Sequence, residues 1–506
     1  MKLELTKTDT VSCKLVRDSV CSREETLEMI VPDTCPDIVQ ILDTNSFCCL
    51  TKRELTESGA LLAGSIKSFI LYLPEGKTGV ERLEAELPFQ HVIEQDKLES
   101  NCTLQAKAEV MSAETRVINS RKVLLRVDLK ETIRIYKPEV RSICCGIQDE
   151  PSQGIQQQIE HYQMVLSRMP REKAFTIEEE LDLQDGKNDI ERILSIRPKV
   201  YCTEARIMGS RLMLKGGIQV RTLCRRHSGE LVQSELDLPV SQMLETDELG
   251  EGARYQADLQ ILNWQLGALA DDGRSVSIVF DLAAQAQFYE IVPVAVLTDA
   301  YSTRYPMNFQ QVKERCLYLT DGVMRKAVRE TLATEETVRL IQFSHAELGV
   351  GEVTEEGSGR KLRIPVNATV LYQTEDGNFA SVGKKFDITV QTEAEPGSAL
   401  SWSCEIVQME ALLSAAGIEL RLSVEFKLRE QRAFEVPAIR EAELDQEHSL
   451  HDETNPSVVL RFVNQDESLW DLAKRYRTTC KAICSANKME EGKIPGNQML
   501  LIPRTR

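Results

Sequence analysis

Along the first 440 residues apolar and polar positions mostly alternate, the period-2 pattern of strands with one buried face. Ile66-Lys-Ser-Phe-Ile-Leu-Tyr72, Ile218-Gln-Val-Arg-Thr-Leu223 and Val366-Asn-Ala-Thr-Val-Leu-Tyr372 are strand-like. Each is followed by a polar stretch containing a glycine (Gly76, Gly229, Gly377) and then by a second alternating stretch, which predicts a hairpin. A later strand recurs as Val123-Leu-Leu-Arg-Val-Asp-Leu129, Val276-Ser-Ile-Val-Phe-Asp-Leu282 and Leu420-Arg-Leu-Ser-Val-Glu-Phe426. Helical patterns are fewer, at 155–169 and 322–332.

These patterns belong to an internal repeat. Asp37-Ile-Val-Gln-Ile-Leu42 returns as Asp189-Ile-Glu-Arg-Ile-Leu194, an offset of 152. Glu86-Leu-Pro-Phe89 returns as Asp237-Leu-Pro-Val240, and a degenerate third copy is Asp387-Ile-Thr-Val390. A period this long indicates tandem globular domains, because solenoid repeats run about 20–50 residues. The expected fold is mainly β and multi-domain: three β-rich, sandwich or barrel-like units at 1–152, 153–304 and 305–440, each with one or two peripheral helices. The third is the most diverged. The acidic stretch 437–456, with Glu441, Glu443, Asp445, Glu447, Asp452 and Glu453, predicts a solvated tether, the linker proper being 441–456.

The last fifty residues, 457–506, form a separate small domain in pattern and in charge. Val458–Val463 reads as a strand. Leu469, Leu472, Ala473 and Tyr476 then fall on one helix face with Ser468 placed to cap it. Thr479 can cap a second helix that sets Cys480, Ile483 and Cys484 on one face. Ile494-Pro-Gly-Asn-Gln-Met-Leu-Leu-Ile-Pro503 is a turn and a closing strand, giving the order βααβ. This segment carries nine Lys/Arg against five Asp/Glu, whereas the whole chain has 61 against 79 and a formal charge of −18. A small basic module hangs from an acidic body.

That charge excludes broad nucleic-acid binding and a wide anionic-membrane surface, both of which need a basic footprint. No apolar window approaches the ~20 residues of a membrane span, and the N-terminal residues have no secretory pattern, so a cytosolic chain is expected. Fourteen cysteines without any C-x-x-C read as buried thiols in a reducing compartment. In the vicinal pairs Cys48-Cys49 and Cys144-Cys145 strand alternation would leave one thiol of each exposed and able to cross-link. Cys480 and Cys484 read as core, and His448-x-x-His451 as part of the tether. No G-x-S-x-G, P-loop, H-E-x-x-H or G-x-G-x-x-G occurs, and Gly349-Val-Gly351 reads as a turn, so no enzyme, cofactor or metal site is expected.

Glu467-Ser-Leu-Trp-Asp-Leu-Ala-Lys-Arg-Tyr476 with the second short helix and the Ile494–Pro503 segment resembles a LysM domain. LysM domains bind N-acetylglucosamine polymers such as peptidoglycan, in a groove between the loop after the first strand and the loop before the last. Carried over, the partner-binding residues are Asp466, Glu467, Ser468, Leu469, Trp470, Lys474, Arg477, Asn487, Lys488, Met489, Pro495 and Gly496. Two positions depart from the pattern: Asp466 stands where a glycine is usual, and Lys488 where a second asparagine is usual. The altered first loop and the missing export signal favour a protein partner over glycan, with peptidoglycan binding in the cortex or cell wall as the alternative. Val31-Pro-Asp-Thr-Cys-Pro-Asp-Ile-Val-Gln-Ile-Leu42 with the following strand, and Val296-Leu-Thr-Asp-Ala-Tyr-Ser302, resemble the SPOCS domain. SPOCS repeats followed by LysM are similar to the SipL-type spore-coat morphogenetic proteins of clostridia. The resemblance implies a non-enzymatic assembly factor in the mother cell, at the forespore surface. Its LysM domain would engage a coat-scaffold ATPase of the SpoIVA type.

Overall fold

The computed structural model describes residues 1–76, 79–95, 98–148, 150–183, 190–247, 249, 252–270, 273–356, 359–450, 456–464, 467–490 and 498–504. The first repeat comprises β1 (Leu5–Ile30), β2 (Ile38–Thr56), β3 (Gly59–Pro74), β4 (Glu81–Glu94), β5 (Thr103–Asn119) and β6 (Lys122–Ile147). They form two antiparallel sheets, β2-β3-β4 and β1-β6-β5. Leu62, Ile66 and Ile70 of the first sheet and Val123, Leu125 and Val127 of the second share one core, so the unit is a sandwich.

The same plan returns twice. β7 (Ile155–Ser167), β8 (Arg171–Asp182), β9 (Ile190–Met208), β10 (Arg211–Arg226), β11 (Leu231–Glu245), β12 (Arg254–Leu269) and β13 (Ser275–Ser302) make the sheets β11-β10-β9 and β12-β13-β7, with β8 also on β13. β7 and β8 together occupy the place of β1. The third set is β14 (Met307–Leu332), β15 (Val338–Leu348), β16 (Glu352–Glu356), β17 (Gly359–Thr374), β18 (Phe379–Thr392), β19 (Ala399–Ser414) and β20 (Gly417–Leu444), with sheets β15-β17-β16 and β14-β20-β19 and with β18 on β17.

Small residues show how the copies correspond. A Cβ on Gly64 of β3 would lie 1.9 Å from the Cys49 carbonyl oxygen, and one on Gly216 of β10 the same distance from that of Tyr201. Each glycine lies beside a bulge in the neighbouring strand, where backbones approach closely. In the third copy the neighbouring strand breaks instead, between β15 and β16, at Gly349 and Gly351. Ile364 Cδ1 and the Trp402 ring fill the space beside Gly351. The turn read at Gly349-Val-Gly351 is this break.

The units contact one another in two layers. Leu42, Leu71 and Val80 from the first repeat meet Leu194, Leu223 and Leu231 from the second and Phe343, Leu371 and Phe379 from the third in one buried cluster. The outer ends of the long strands form the other layer: Ile143 of β6, Met164 of β7, Val294 and Val296 of β13, Cys316 of β14 and Val436 of β20 are buried together. The Leu3 amide donates to the Ala442 carbonyl at 2.9 Å, which joins the start of the described chain to the end of the third repeat.

Three expectations are corrected. The segments 155–169 and 322–332 are strand rather than helix, save for the last two residues of the first: β7 pairs antiparallel with β13 with one bulge, and the end of β14 with β20. Their helix-favouring side chains (Gln156, Gln157, Lys326, Ala327) are overridden by an edge that a long partner strand leaves to be filled. No peripheral α-helix occurs among the described residues of the three repeats. The presumed tether is also shorter, since β20 runs to Leu444 and buries Ala438, Ile439, Ala442 and Leu444.

The C-terminal module has the expected order: β21 (Val458–Val463), α1 (Leu469–Tyr476), α2 (Cys480–Asn487) and β22 (Gln498–Pro503), with β21 antiparallel to β22.

Candidate functional site

Local capping builds the module. The Ser468 hydroxyl accepts from the Asp471 amide at 3.0 Å and caps α1, while the Thr479 hydroxyl accepts from the Ala482 amide at 3.0 Å and caps α2. Both helices end on a non-glycine residue in the left-handed region, Arg477 (φ 55°) and Lys488 (φ 56°). Their amides donate back to the last turn, so both have backbone roles. Asn487 is a clamp: its amide nitrogen donates to Ile483 O (2.8 Å) and Leu501 O (2.6 Å), and its oxygen accepts from the Leu501 amide (2.8 Å). Glu467 accepts from Arg461 at 2.9 Å and lies 3.4 Å from Arg475; the Arg461 bond holds its carboxyl below the usual range. Leu469 and Met489 pack against the buried core of Val463, Leu472, Ala473, Ile483, Leu500 and Ile502, while Lys488 is exposed. Cys484 is buried, and Cys480 packs on that core. Asp466, Pro495 and Gly496 lie outside the described residues, as does His451.

That core has a contributor that the sequence does not reveal. Tyr301, at the end of β13 in the second repeat, is buried in it and donates its hydroxyl to the Thr478 carbonyl at 2.7 Å. Burial pushes the Tyr301 phenol upward. The Trp470 ring meets it edge-on with centroids 4.9 Å apart. Trp470 Nε1 donates to Asp299 Oδ2 at 2.7 Å, and Lys474 Nζ reaches both oxygens of Asp299 at 2.7 Å. Lys474 also lies 5.4 Å from the centre of the Phe309 ring. Of the residues expected to meet an outside partner, Trp470 and Lys474 are thus spent on the body of the same chain. Asp299 and Tyr301 do stand within a segment already singled out by resemblance. No spacing rule, however, links side chains 171 and 177 positions apart along the chain.

What the module offers to solvent is different. Val458, Leu460 and Phe462 on β21 and Met499 and Leu501 on β22 share the outer face of the two-stranded sheet. Leu460 stands opposite Leu501, and Phe462 opposite Met499. Leu460, Phe462 and Met499 are 57%, 55% and 55% exposed. Neighbouring exposed apolar side chains of this size mark surfaces that meet something.

A second polar assembly lies where the three repeats meet. Arg197 of β9 donates to Asp43 Oδ2 of β2 (3.1 Å), to Glu347 Oε1 of β15 (3.3 Å) and to His345 Nε2 of β15 (3.0 Å). Because an arginine only donates, His345 Nε2 must accept and its proton sits on Nδ1. Burial, with Arg197 next, pushes the His345 imidazolium down to about 3. Burial pushes Glu347 up to about 7, Arg197 opposing and Asp43 reinforcing. Two carboxylates share one guanidinium, and a neutral Glu347 leaves the cluster without net charge. Asp43, Glu347 and His345 border a cavity of about 180 Å³. Among the described residues no group of three or more His, Cys, Asp and Glu is placed to hold a metal ion, and no helix is long and apolar enough to cross a membrane.

The cysteine expectation is half corrected. Cys48 and Cys49 are both buried, because β2 has the first sandwich on one side and the Trp264 region of the second repeat on the other. Burial raises both thiols. In the other pair Cys144 is buried, whereas Cys145 is part-exposed and accepts from Thr8.

With this geometry in place, comparison with known families is informative. The model of the SipL, SPOCS domain matches residues 37–118, from just before β2 through nearly all of β5. The LysM domain model matches residues 463–503. The chain carries a SPOCS domain and a LysM domain. This is the pair found in the SipL-type proteins that the sequence resembles. Both are domains of binding or adaptor type, and together they fit a sporulation-related adaptor with peptidoglycan-binding capacity. No curated protein matches the chain.

Proposed function

We propose that this chain is a non-enzymatic adaptor of spore-coat assembly, working in the mother cell at the forespore surface. Its LysM domain would bind a coat-scaffold ATPase of the SpoIVA type. On this reading all three repeats, 1–152, 153–304 and one from 305 to the end of β20, are SPOCS-like, and together they form the platform that presents LysM.

The observation that carries a protein partner is the exposed ladder of Val458, Leu460, Phe462, Met499 and Leu501. Apolar side chains projecting from a flat sheet gain by meeting another apolar surface, whereas a hydroxyl-rich glycan gains from hydrogen bonds in a groove. The second reading, peptidoglycan binding in the cortex or wall, is favoured by the LysM match itself, with Lys488 and Met489 at the groove edge.

Capture by the full chain separates the two, using lysate from sporulating cells and, separately, insoluble peptidoglycan. The adaptor reading expects capture of the coat ATPase, lost at least tenfold in Leu460→Glu and kept in Lys488→Glu. Pelleting with glycan, lost in Lys488→Glu and without protein capture, would replace it with the wall-binding reading.

A further inference from the structure

One face of the LysM domain is already taken. Asp299 and Tyr301 come from the last strand of the second repeat, in the extended run Asp299-Ala300-Tyr301. Together they meet three groups on the LysM domain: the Trp470 indole, the Lys474 ammonium and the Thr478 carbonyl. The contact combines a bidentate ion pair at 2.7 Å, an indole hydrogen bond at 2.7 Å, an aromatic edge contact and a buried phenol that completes the module's core. Asp299 is the shared acceptor. Its side chain is 19% exposed and that of Lys474 39%, so the pair is half-covered by the body and still open to screening by salt from the lysine side. A second aromatic surface beside Lys474 is Phe309, from the first strand of the third repeat, with its ring centre 5.4 Å from Nζ.

We propose that Asp299 and Tyr301 form a latch holding the α1 face of LysM against the body. That face is then closed to outside partners until the latch opens, and the outer sheet face is held at a fixed orientation. The kind of ligand that can open it follows from what fills it now: an extended segment presenting a carboxylate two residues before an aromatic ring, which would replace Asp299 and Tyr301 group for group. The consequence for binding rests on the reading that LysM is the part that engages partners; the latch itself does not.

The experiment uses the full chain and two readouts. Hydrogen exchange over Leu469–Tyr476, at 50 mM and 1 M sodium chloride, reports whether the latch is closed. Capture of the coat ATPase and pelleting with peptidoglycan report what the closed face does. In the parent chain the helix is expected to be protected at low salt and to lose protection at high salt, since the ion pair is screened. Asp299→Ala is expected to raise exchange about tenfold at low salt and to remove the salt dependence. Tyr301→Phe keeps the ring in the core and drops only the bond to Thr478, so it is expected to give a smaller rise; it also guards against a module that has simply unfolded. An Asp299→Ala chain whose α1 exchanges within twofold of the parent at both salts would overturn the latch. Faster exchange with unchanged capture and pelleting would show that partners do not use this face and would overturn its closure as a gate. Faster exchange with no capture and no pelleting by either chain would leave the latch standing and remove the proposed function instead.

Discussion

At the scale of single residues, two groups of one cluster are moved far from their usual range in opposite directions, Glu347 upward and His345 downward. Glu347 has a folded pKa raised to about 7, so its contribution to stability is fully present below the ordinary carboxylate value and lost as pH rises through about 7. His345, lowered to about 3, contributes above its ordinary value of 6.5 and loses that contribution as pH falls towards 3. The two nearly offset each other in mild acid. Glu347→Gln, which copies the neutral form, is therefore expected to raise the unfolding free energy measured in urea at pH 8, by on the order of 1 kcal/mol or more. The gain should shrink towards pH 5, and equal shifts at both pH values would show that Glu347 is not the titrating group. Cys48 and Cys49 are expected to react with a thiol reagent only on the timescale of unfolding, because burial keeps both protonated and covered; alkylation of either at the rate of Cys145 would contradict that. The same pair shows why side-chain exposure was only partly legible. Strand alternation correctly assigns opposite faces to neighbours, but it does not say that a second repeat lies on the outward one.

At the scale of elements, the hairpins, the helix caps and the βααβ order of the LysM domain were all legible, because each depends on residues within a few positions of one another. Ser468→Ala is expected to cost the module about 1 kcal/mol. Asn487→Ala is expected to cost about 1–3 kcal/mol, since it removes both hydrogen bonds that tie α2 to Leu501 of β22, each worth about 0.5–1.5 kcal/mol. Both are measurable as loss of hydrogen-exchange protection in α2 and β22, and a smaller loss for Asn487→Ala than for Ser468→Ala would mean that the clamp is dispensable. Gly64→Ala places a methyl group against a backbone carbonyl at 1.9 Å and is expected to destabilise the first sandwich by about 2 kcal/mol or more; a neutral outcome by thermal unfolding would argue that the β2 bulge adjusts. What was not legible were β7 and the end of β14. Gln156, Gln157, Lys326 and Ala327 suit a helix taken alone, and only the 28-residue partners β13 and β20 decide otherwise. The role of Asp299 was equally out of reach, since it is set by a helix 171 positions away.

At the scale of the whole molecule, the repeats do not behave as beads on a string. Leu42, Leu194 and Phe343 share one cluster, and Arg197 binds side chains from both other repeats, so each sandwich buries part of its surface only when the others are present. Leu223→Ala is accordingly expected to lower the stability of the entire body by about 2–5 kcal/mol while calorimetry still shows one transition for it. Separate peaks for the three repeats would refute the coupling. The joining of Leu3 to Ala442 has a further consequence, for copy number. With the segment before β1 bonded to the end of β20 and side chains of all three repeats packed into one centre, the arrangement closes on itself at three. A fourth copy inserted in tandem would find no place in that centre, and a chain reduced to two would expose the apolar side chains that the third now covers. Duplication in this architecture is a matter of counting to a fixed total, and lineages that gain or lose a repeat would have to rebuild the centre rather than extend the chain.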